Sequence, residues 1–362
     1  MISPEMSSEV DVLLEALPES LRPGFAQLPR LSLGNWPTPL ESCPHLAQAI
    51  GVRELWMKRD DQSGPALGGN KVRQLEYTLA DAIAQGCQGV LIAIGEQSNH
   101  ARQMAALARK VGLRPVVIIN KAEPPPVLRG NLLLVALTGA DIRYLPAADY
   151  EKEMELHCDN VVAEYAERGI RIYRVRPDRS QMLGAAAGLR SLLELKRQVD
   201  ERGLDPAAIV VSAASGSQAG MVLASRAIAW DIEIRGVAPV IWREPLHARS
   251  ARFANQLAET MGWPIRLTAD DIINDLSHVG AGYQQADSAS LEAVRIAAQT
   301  EGIFLDPNYT GKAMAALIDD LASGAVDRER SIIFWHTGGV PALFSADQEI
   351  TEYLHAHQSA RA

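Results

Sequence analysis

Two polar clusters in this chain have residue types and spacing that could do chemistry. Gly68-Gly69-Asn70-Lys71-Val72-Arg73 sets a lysine behind two glycines and an asparagine, at the start of an amphipathic stretch. Gln97-Ser98-Asn99-His100-Ala101-Arg102-Gln103 is dense in polar side chains and follows the apolar run 89–94. A lysine at such a turn can carry a carbonyl as a Schiff base. Ser-Asn at a helix start can hold a carboxylate through free backbone N–H groups plus hydroxyl and amide donors. Together they point to amino-acid chemistry on pyridoxal phosphate, with Lys71 holding the cofactor's aldehyde. The two glycines imply close backbone approach at that lysine.

Three further segments follow the same logic. Ser215-Gly216-Ser217-Gln218-Ala219-Gly220 comes after the buried run 208–213 and opens a helix, so its small residues and free N–H groups suit a phosphate. It matches neither the Walker lysine pattern nor GxGxxG, so neither nucleotide fingerprint applies. Tyr309-Thr310 lies just before a helical stretch, and Thr337 just after the apolar run 331–335. Ligands gather beyond the carboxyl ends of parallel strands, which makes both positions candidates. Each segment also has an ordinary reading: Lys71 as a solvated lysine, Ser98 as a plain N-cap, 213–220 as a tight crossover.

The elements needed to position these residues alternate along the chain. Strands are expected at 54–58, 89–94, 115–120, 141–145, 171–175, 208–213, 233–237 and 331–335. Helices are expected at 72–85, 101–111, 131–137, 150–168, 184–201, 220–229, 249–261, 291–301 and 312–323. Repeated strand–helix alternation with apolar strands means an α/β fold with parallel strands and helices on both faces. At 362 residues, two lobes are expected. The expected division is an N-terminal extension at 1–30, a large cofactor-binding domain at 31–75 plus 184–362, and a small domain at 76–183.

Composition excludes several classes. A net charge of −9 offers no footprint for nucleic acid. No apolar run approaches the roughly 20 residues of a membrane helix, and the start of the chain lacks a basic-plus-apolar signal. Cys43, Cys87 and Cys158 are scattered without a CxxC pair, so neither a zinc site nor a disulfide framework is expected. A reducing, cytoplasmic setting is expected.

Seven motifs in order carry a resemblance: Pro37-Thr38-Pro39-Leu40, Lys58-Arg59-Asp60-Asp61, Gly68-Gly69-Asn70-Lys71, Gln97-Ser98-Asn99-His100, Asp306-Pro307, Tyr309-Thr310-Gly311-Lys312 and His336-Thr337-Gly338-Gly339. Over 28–343 the chain resembles the D-cysteine desulfhydrase and aminocyclopropane-carboxylate deaminase family. The resemblance implies a fold-type-II pyridoxal-phosphate enzyme: two open, twisted, mostly parallel sheets with flanking helices, in a homodimer. It implies that Lys71 binds the cofactor and moves the α-proton, and that Asn70 bonds the cofactor's phenolic oxygen. Ser98 and Asn99, with His100 beside them, would bind the substrate carboxylate. Tyr283 and Tyr309 would line the substrate pocket, and 215–220 would hold the phosphate.

Within that family the deaminases carry Glu after the tyrosine and Leu after the histidine. Thr310 and Thr337 stand there in this chain, as in the desulfhydrases. A carboxylate near the pyridine nitrogen makes the ring a stronger electron sink, which ring opening needs. Neutral hydroxyls suffice when a good leaving group departs from Cβ. The expectation is therefore β-elimination from a small amino acid, with D-cysteine giving pyruvate, sulfide and ammonia as the leading case. Aminocyclopropane-carboxylate deamination, another reaction on a specialised amino acid, and a non-catalytic amino-acid-binding relative remain open. Three departures from the family bear on this: Ala213, Ala214 and Ser217 in the phosphate stretch; Gln284-Gln285-Ala286-Asp287 after Tyr283, where the family often has Gly-Val-Pro-Asn; and Glu96 before Gln97, an acid that disfavours an anionic substrate side chain.

Overall fold

The computed structural model describes residues 12–359, leaving aside 121–126, 146–149, 214, 281, 283 and 284. In chain order the described strands are β1 (Leu40–Ser42), β2 (Glu54–Arg59), β3 (Gly89–Ile94), β4 (Arg114–Asn120), β5 (Asp141–Leu145), β6 (Ile172–Arg174), β7 (Pro206–Ser212), β8 (Glu233–Val237), β9 (Ile273–Asp275) and β10 (Ser331–His336). They form a six-stranded sheet, β1-β2-β10-β7-β8-β9, and a four-stranded sheet, β5-β4-β3-β6. Every pairing is parallel except β1 with β2. The expected α/β architecture of two mostly parallel sheets is the one observed.

Both faces of each sheet are covered, which is why the strands read as continuous apolar runs. On β10, Ile333 and Trp335 pack with helices Pro177–Arg202, Gly216–Ala227 and Leu246–Thr260. Ile332 and Phe334 pack with Ser288–Glu301 and Thr310–Ser323 on the other face. In the smaller sheet, Val90 and Ile92 of β3 meet helices Lys71–Ala84 and Asn99–Lys110, whereas Leu91 meets Tyr150–Glu167. Leu17, Leu21 and Phe25 of the expected extension are buried in the large sheet's core.

The structure departs from the sequence reading at particular elements. The helix expected at 184–201 begins two turns earlier, at Pro177. Proline is at home in a first turn, and Gly188 is a packing position rather than a breaker: a Cβ there would lie 2.0 Å from the Ser217 carbonyl oxygen. The helix expected at 220–229 begins at Gly216. Gly220 lets it lie against Pro177–Arg202, since a Cβ would fall 1.8 Å from the Ala185 carbonyl oxygen. Strands β1 and β9 and helices Pro44–Ile50 and Asp347–Ser359 were not forecast. The expected domain borders at 75/76 and 183/184 fall inside the continuous helices Lys71–Ala84 and Pro177–Arg202.

A buried ionic network joins the end of β2 to both of those helices. Arg73 donates to Asp60 from Nε (2.9 Å) and Nη2 (2.8 Å), and to both carboxylate oxygens of Glu194 at 2.8 Å. Lys58 Nζ sits 2.5 Å from Glu194 Oε1 and also donates to Gln198 Oε1 and the Thr38 carbonyl, each at 2.7 Å. The Arg73 guanidinium lies 4.0 Å from the Trp36 ring centroid.

Two predictions follow from the Glu194 carboxylate. Removing it in Glu194→Leu leaves Arg73 and Lys58 as under-compensated buried cations, which should cost about 3–5 kcal/mol in denaturant unfolding. Burial by itself would raise the Glu194 pKa, but Arg73 and then Lys58 outweigh it and hold it at about 2, against an ordinary 4.5. A depressed folded pKa contributes stability that is present above the unfolded value and lost as pH falls through the folded one. Unfolding free energy should thus decline between about pH 4.5 and 2. Glu194→Gln should flatten that part of the profile; an unchanged slope would show that Glu194 does not cause it.

Candidate active site

Parallel strands put their carboxyl ends on one edge, and the candidate residues follow those ends. Asp60 follows β2, Ser98 and Asn99 follow β3, Ser215 follows β7 and Thr337 follows β10. The lysine turn ties the two sheets together at this edge. Asn70 N donates to the Thr337 carbonyl at 2.9 Å. Arg102 Nη2 and Gln103 Nε2 both donate to the Gly68 carbonyl at 2.8 Å. Gly68 and Gly69 have φ of 62° and 123°, and Cβ atoms there would fall 1.8 Å from the Asp61 carbonyl oxygen and 2.4 Å from Gln103 Nε2. The close approach expected at these glycines is therefore made by the protein itself.

Lys71 opens helix Lys71–Ala84. Its amine has no hydrogen-bond or ion-pair partner among the described residues, and burial lowers its pKa to about 8. A lysine held this way is a competent nucleophile near neutral pH. His100 is pushed down to about 3, by burial and then by the charge of Lys71, so it is neutral and senses Lys71 directly. Its Nε2 is buried without a partner.

Ser98 is the N-cap of helix Asn99–Lys110: its Oγ accepts from His100 N (3.1 Å) and Ala101 N (3.2 Å). The cap consumes two of the expected free N–H groups. The Ser98 O–H, the Asn99 N–H and the Asn99 side-chain amide remain as donors at a helix N-terminus, a setting suited to a carboxylate. Asn131, which the sequence reading missed, holds this turn. Its N accepts nothing but donates to Gln97 Oε1 at 2.9 Å, and its Nδ2 donates to the Gln97 carbonyl (2.9 Å) and to Asn99 Oδ1 (3.1 Å). Those contacts span more than thirty positions of sequence, and no local pattern announces them.

Within the expected phosphate stretch 215–220 the side chains have different partners. Gln218 is fully buried and its Nε2 donates to the Ile234 and Ile273 carbonyls of the sheet, while its Oε1 accepts from Asn274. Ala219 and Gly220 are buried against neighbouring helices. Ser215, Gly216 and Ser217 remain at the helix start. Ser215, at φ 110°, is one of the few non-glycine residues in that region. Ser217, Asn70 and Thr337 line one small cavity beside Asp60 and Arg73. Their side chains have no hydrogen-bond partner among the described residues. The unpaired side chains of Asn70, Ser217 and Thr337, with the Lys71 amine next to Asn70 in the chain, are of the types that suit a ring carrying an aldehyde, a hydroxyl and a phosphate.

Thr310 and Thr337 differ in a way the sequence did not show. Thr310 is fully buried and donates from Oγ1 to Asp306 Oδ1 at 2.8 Å. The Asp306 carboxylate also accepts from the backbone N–H groups of Asn308, Tyr309 and Thr310 at 2.9–3.0 Å, fixing the turn that carries Tyr309. Thr337 is the hydroxyl that stays uncommitted. Tyr309 is half-buried at the start of helix Thr310–Ser323. Tyr283 and Ala214 lie outside the described residues. Glu96 is half-buried beside Gln97, between β3 and Ser98. Among the described residues, no group of three or more His, Cys, Asp or Glu is placed to hold a metal, and no helix is long and apolar enough to cross a membrane.

Comparison with known proteins agrees with this geometry. A family model described as pyridoxal-phosphate dependent enzyme matches residues 31–338. D-cysteine desulfhydrase of Salmonella newport (strain SL254) is 36% identical over 330 residues, spanning 89% of this chain and 97% of that protein. The protein of the same name from Salmonella typhi matches to the same extent. A crystal structure of an ACC deaminase homologue superposes with TM-score 0.82 at 28% identity, covering 93% of this chain and all of the other. A fungal L-serine ammonia-lyase from Rhizomucor miehei shares the fold, with TM-score 0.61 at 16% identity over 90% of this chain and 99% of its own. With an unpaired lysine at the carboxyl edge of its strands and a family match over most of its length, this chain belongs to the pyridoxal-phosphate-dependent enzymes.

Proposed function

We propose that this enzyme is a lyase that removes a β-substituent from a small amino acid, with D-cysteine as substrate. The overall reaction takes D-cysteine and water to pyruvate, hydrogen sulfide and ammonia. The observation that carries the reading is an unpaired Lys71 amine whose neighbour Asn70 donates its backbone N–H to the carbonyl of Thr337, a residue with an uncharged, uncommitted hydroxyl. The 36% identity to D-cysteine desulfhydrases supports the choice of substrate.

When bound, pyridoxal phosphate supplies an electron sink for negative charge at the substrate α-carbon. Lys71 is the attachment point and then the base that moves the α-proton; its pKa, lowered to about 8, gives it far more free amine near neutral pH than an ordinary lysine. Asn70 faces the cofactor's phenolic oxygen, Ser215 to Ser217 the phosphate, and Thr337 the ring nitrogen. Ser98 and Asn99 fix the substrate carboxylate, so that the α-proton is presented to Lys71. Neutral His100 adds no competing positive charge beside that lysine. Tyr309 shapes the substrate side of the pocket. The reading carries a homodimer and a reducing, cytoplasmic setting; three buried, unpaired cysteines are consistent with the latter.

Three outcomes test the reading. Lys71→Ala should abolish both the visible absorbance of the bound cofactor and turnover, and borohydride should fix the pyridoxyl group on Lys71 in the parent enzyme; a label on another lysine would sink the assignment. Ser98→Ala should lower kcat/KM by roughly ten- to a hundredfold with normal cofactor content, because a hydrogen bond to a charged group is lost. The parent enzyme should release 2-oxo acid from D-cysteine and β-chloro-D-alanine, but no 2-oxobutanoate from aminocyclopropane carboxylate. The likeness to an ACC deaminase homologue makes ring opening the rival. Faster ring opening than D-cysteine breakdown would establish that rival.

A further inference from the structure

The turn assigned to the phosphate is reached by side chains from two other helices. Gln181, in the second turn of Pro177–Arg202, places Oε1 2.9 Å from Gly216 N and 3.0 Å from Ser215 Oγ. Both groups donate to that single oxygen, so the Ser215 hydroxyl and the first N–H of helix Gly216–Ala227 aim at one acceptor point. Arg249, in the first turn of Leu246–Thr260, places Nε 3.4 Å from the same Ser215 Oγ. Three helix N-termini therefore meet at Ser215, and each contributes positive potential there.

Arg249 is held ready rather than consumed. Its guanidinium lies 4.7 Å from the Trp242 ring centroid and 5.2 Å from that of Phe253, which restricts its plane. Its side chain is 13% exposed, so its charge is poorly screened by water. The nearest carboxylate, Glu244, is 3.6 Å away and already accepts from Arg252 at 2.9 Å. Pyridoxal phosphate carries close to two negative charges on its phosphate at neutral pH. Backbone N–H groups alone leave that charge incompletely balanced, and Lys71 serves the aldehyde end of the ring.

We propose that Arg249 pairs with the cofactor's phosphate, a side-chain cation added to the main-chain cradle from a third helix. The inference rests on the placement of the phosphate at Ser215 to Ser217. Sequence offered no hint of it, because Arg249 lies in an ordinary amphipathic helix more than thirty positions beyond the cradle.

The test measures binding, not turnover. Full-length enzyme stripped of cofactor is titrated with pyridoxal phosphate and with pyridoxal, which lacks the phosphate, following visible absorbance. Arg249→Met should weaken pyridoxal phosphate by roughly ten- to a hundredfold and leave pyridoxal within about twofold. Arg249→Lys should recover part of the loss, since it keeps the charge but not the planar fork. Should the methionine variant fold poorly, Arg249→Gln carries the same expectation. Equal weakening of both ligands, or no weakening of either, overturns the role of Arg249. Ser217→Asp separates the two levels of the reading, since it places a carboxylate in the cradle. If it leaves pyridoxal phosphate binding intact, the phosphate lies elsewhere and both ideas fall. If it abolishes that binding while Arg249→Met does not, only the role of Arg249 falls.

Discussion

The buried clamp of Arg73 between Asp60 and Glu194 is the interaction on which the rest of the site depends. Arg73 is two residues beyond Lys71, Asp60 directly follows β2, and Glu194 lies in the helix that also carries Gln181. One guanidinium thus sets the rotation of the lysine's helix against the strand and against the long helix behind it. Bidentate geometry matters because it fixes direction as well as distance. A buried ion pair adds little net stability compared with apolar packing, whereas its capacity to specify one arrangement is large. That trade suits a helix whose first residue must point a reactive amine into a cavity.

Around that frame the structure separates committed from uncommitted polar groups. Asp306, Gln97, Asn131 and Gln218 are committed to hydrogen bonds that hold backbone in place. Lys71, Asn70, Ser217 and Thr337 are left without side-chain partners among the described residues, and His100 Nε2 is buried without one. A buried polar atom with no partner is rare within a protein and marks a place where a ligand atom belongs. Burial depresses the pKa of both Lys71 and His100, with the Lys71 charge adding to the shift of His100, so the amine is more reactive near neutral pH and the imidazole stays neutral beside it.

Legibility in the sequence followed the range of the interactions. The strands β3, β4, β7 and β10 were readable because Val and Ile runs buried on both faces are a local signal. Lys71 and Ser98 were readable because glycine turns and N-caps are local too. Helix Pro177–Arg202 was cut short at its start, since residues 177–183 open on a proline and carry polar side chains that give no clear helical period, whereas Gly188, already inside the expected helix, is needed by the partner helix that packs on it. The same blindness turned the first turn of helix Gly216–Ala227 into a loop. Thr310 and Thr337 looked alike in sequence; only Asp306, four residues before Thr310, makes one structural and leaves the other free. Asn131 and Arg249 act across more than thirty positions, which periodicity cannot report.

The glycines before Lys71 show how the two binding functions become one. Gly68 and Gly69 lack side chains because Asp61 and Gln103 occupy that space, not because a ligand does. Gln103 and Arg102, which hold the Gly68 carbonyl, sit one turn beyond Ser98 and Asn99 on the same helix. A shift of that helix on binding a substrate carboxylate must therefore pull on the turn that aims Lys71. Helices are stiff over one turn, and hydrogen bonds of 2.8 Å have little slack. On the function proposed here, the carboxylate site and the lysine turn are joined through these hydrogen bonds, so an amino acid bound in the wrong register would misplace the base as well as the α-carbon. Selectivity for the substrate's shape is then expressed at the proton-transfer step and not only in affinity.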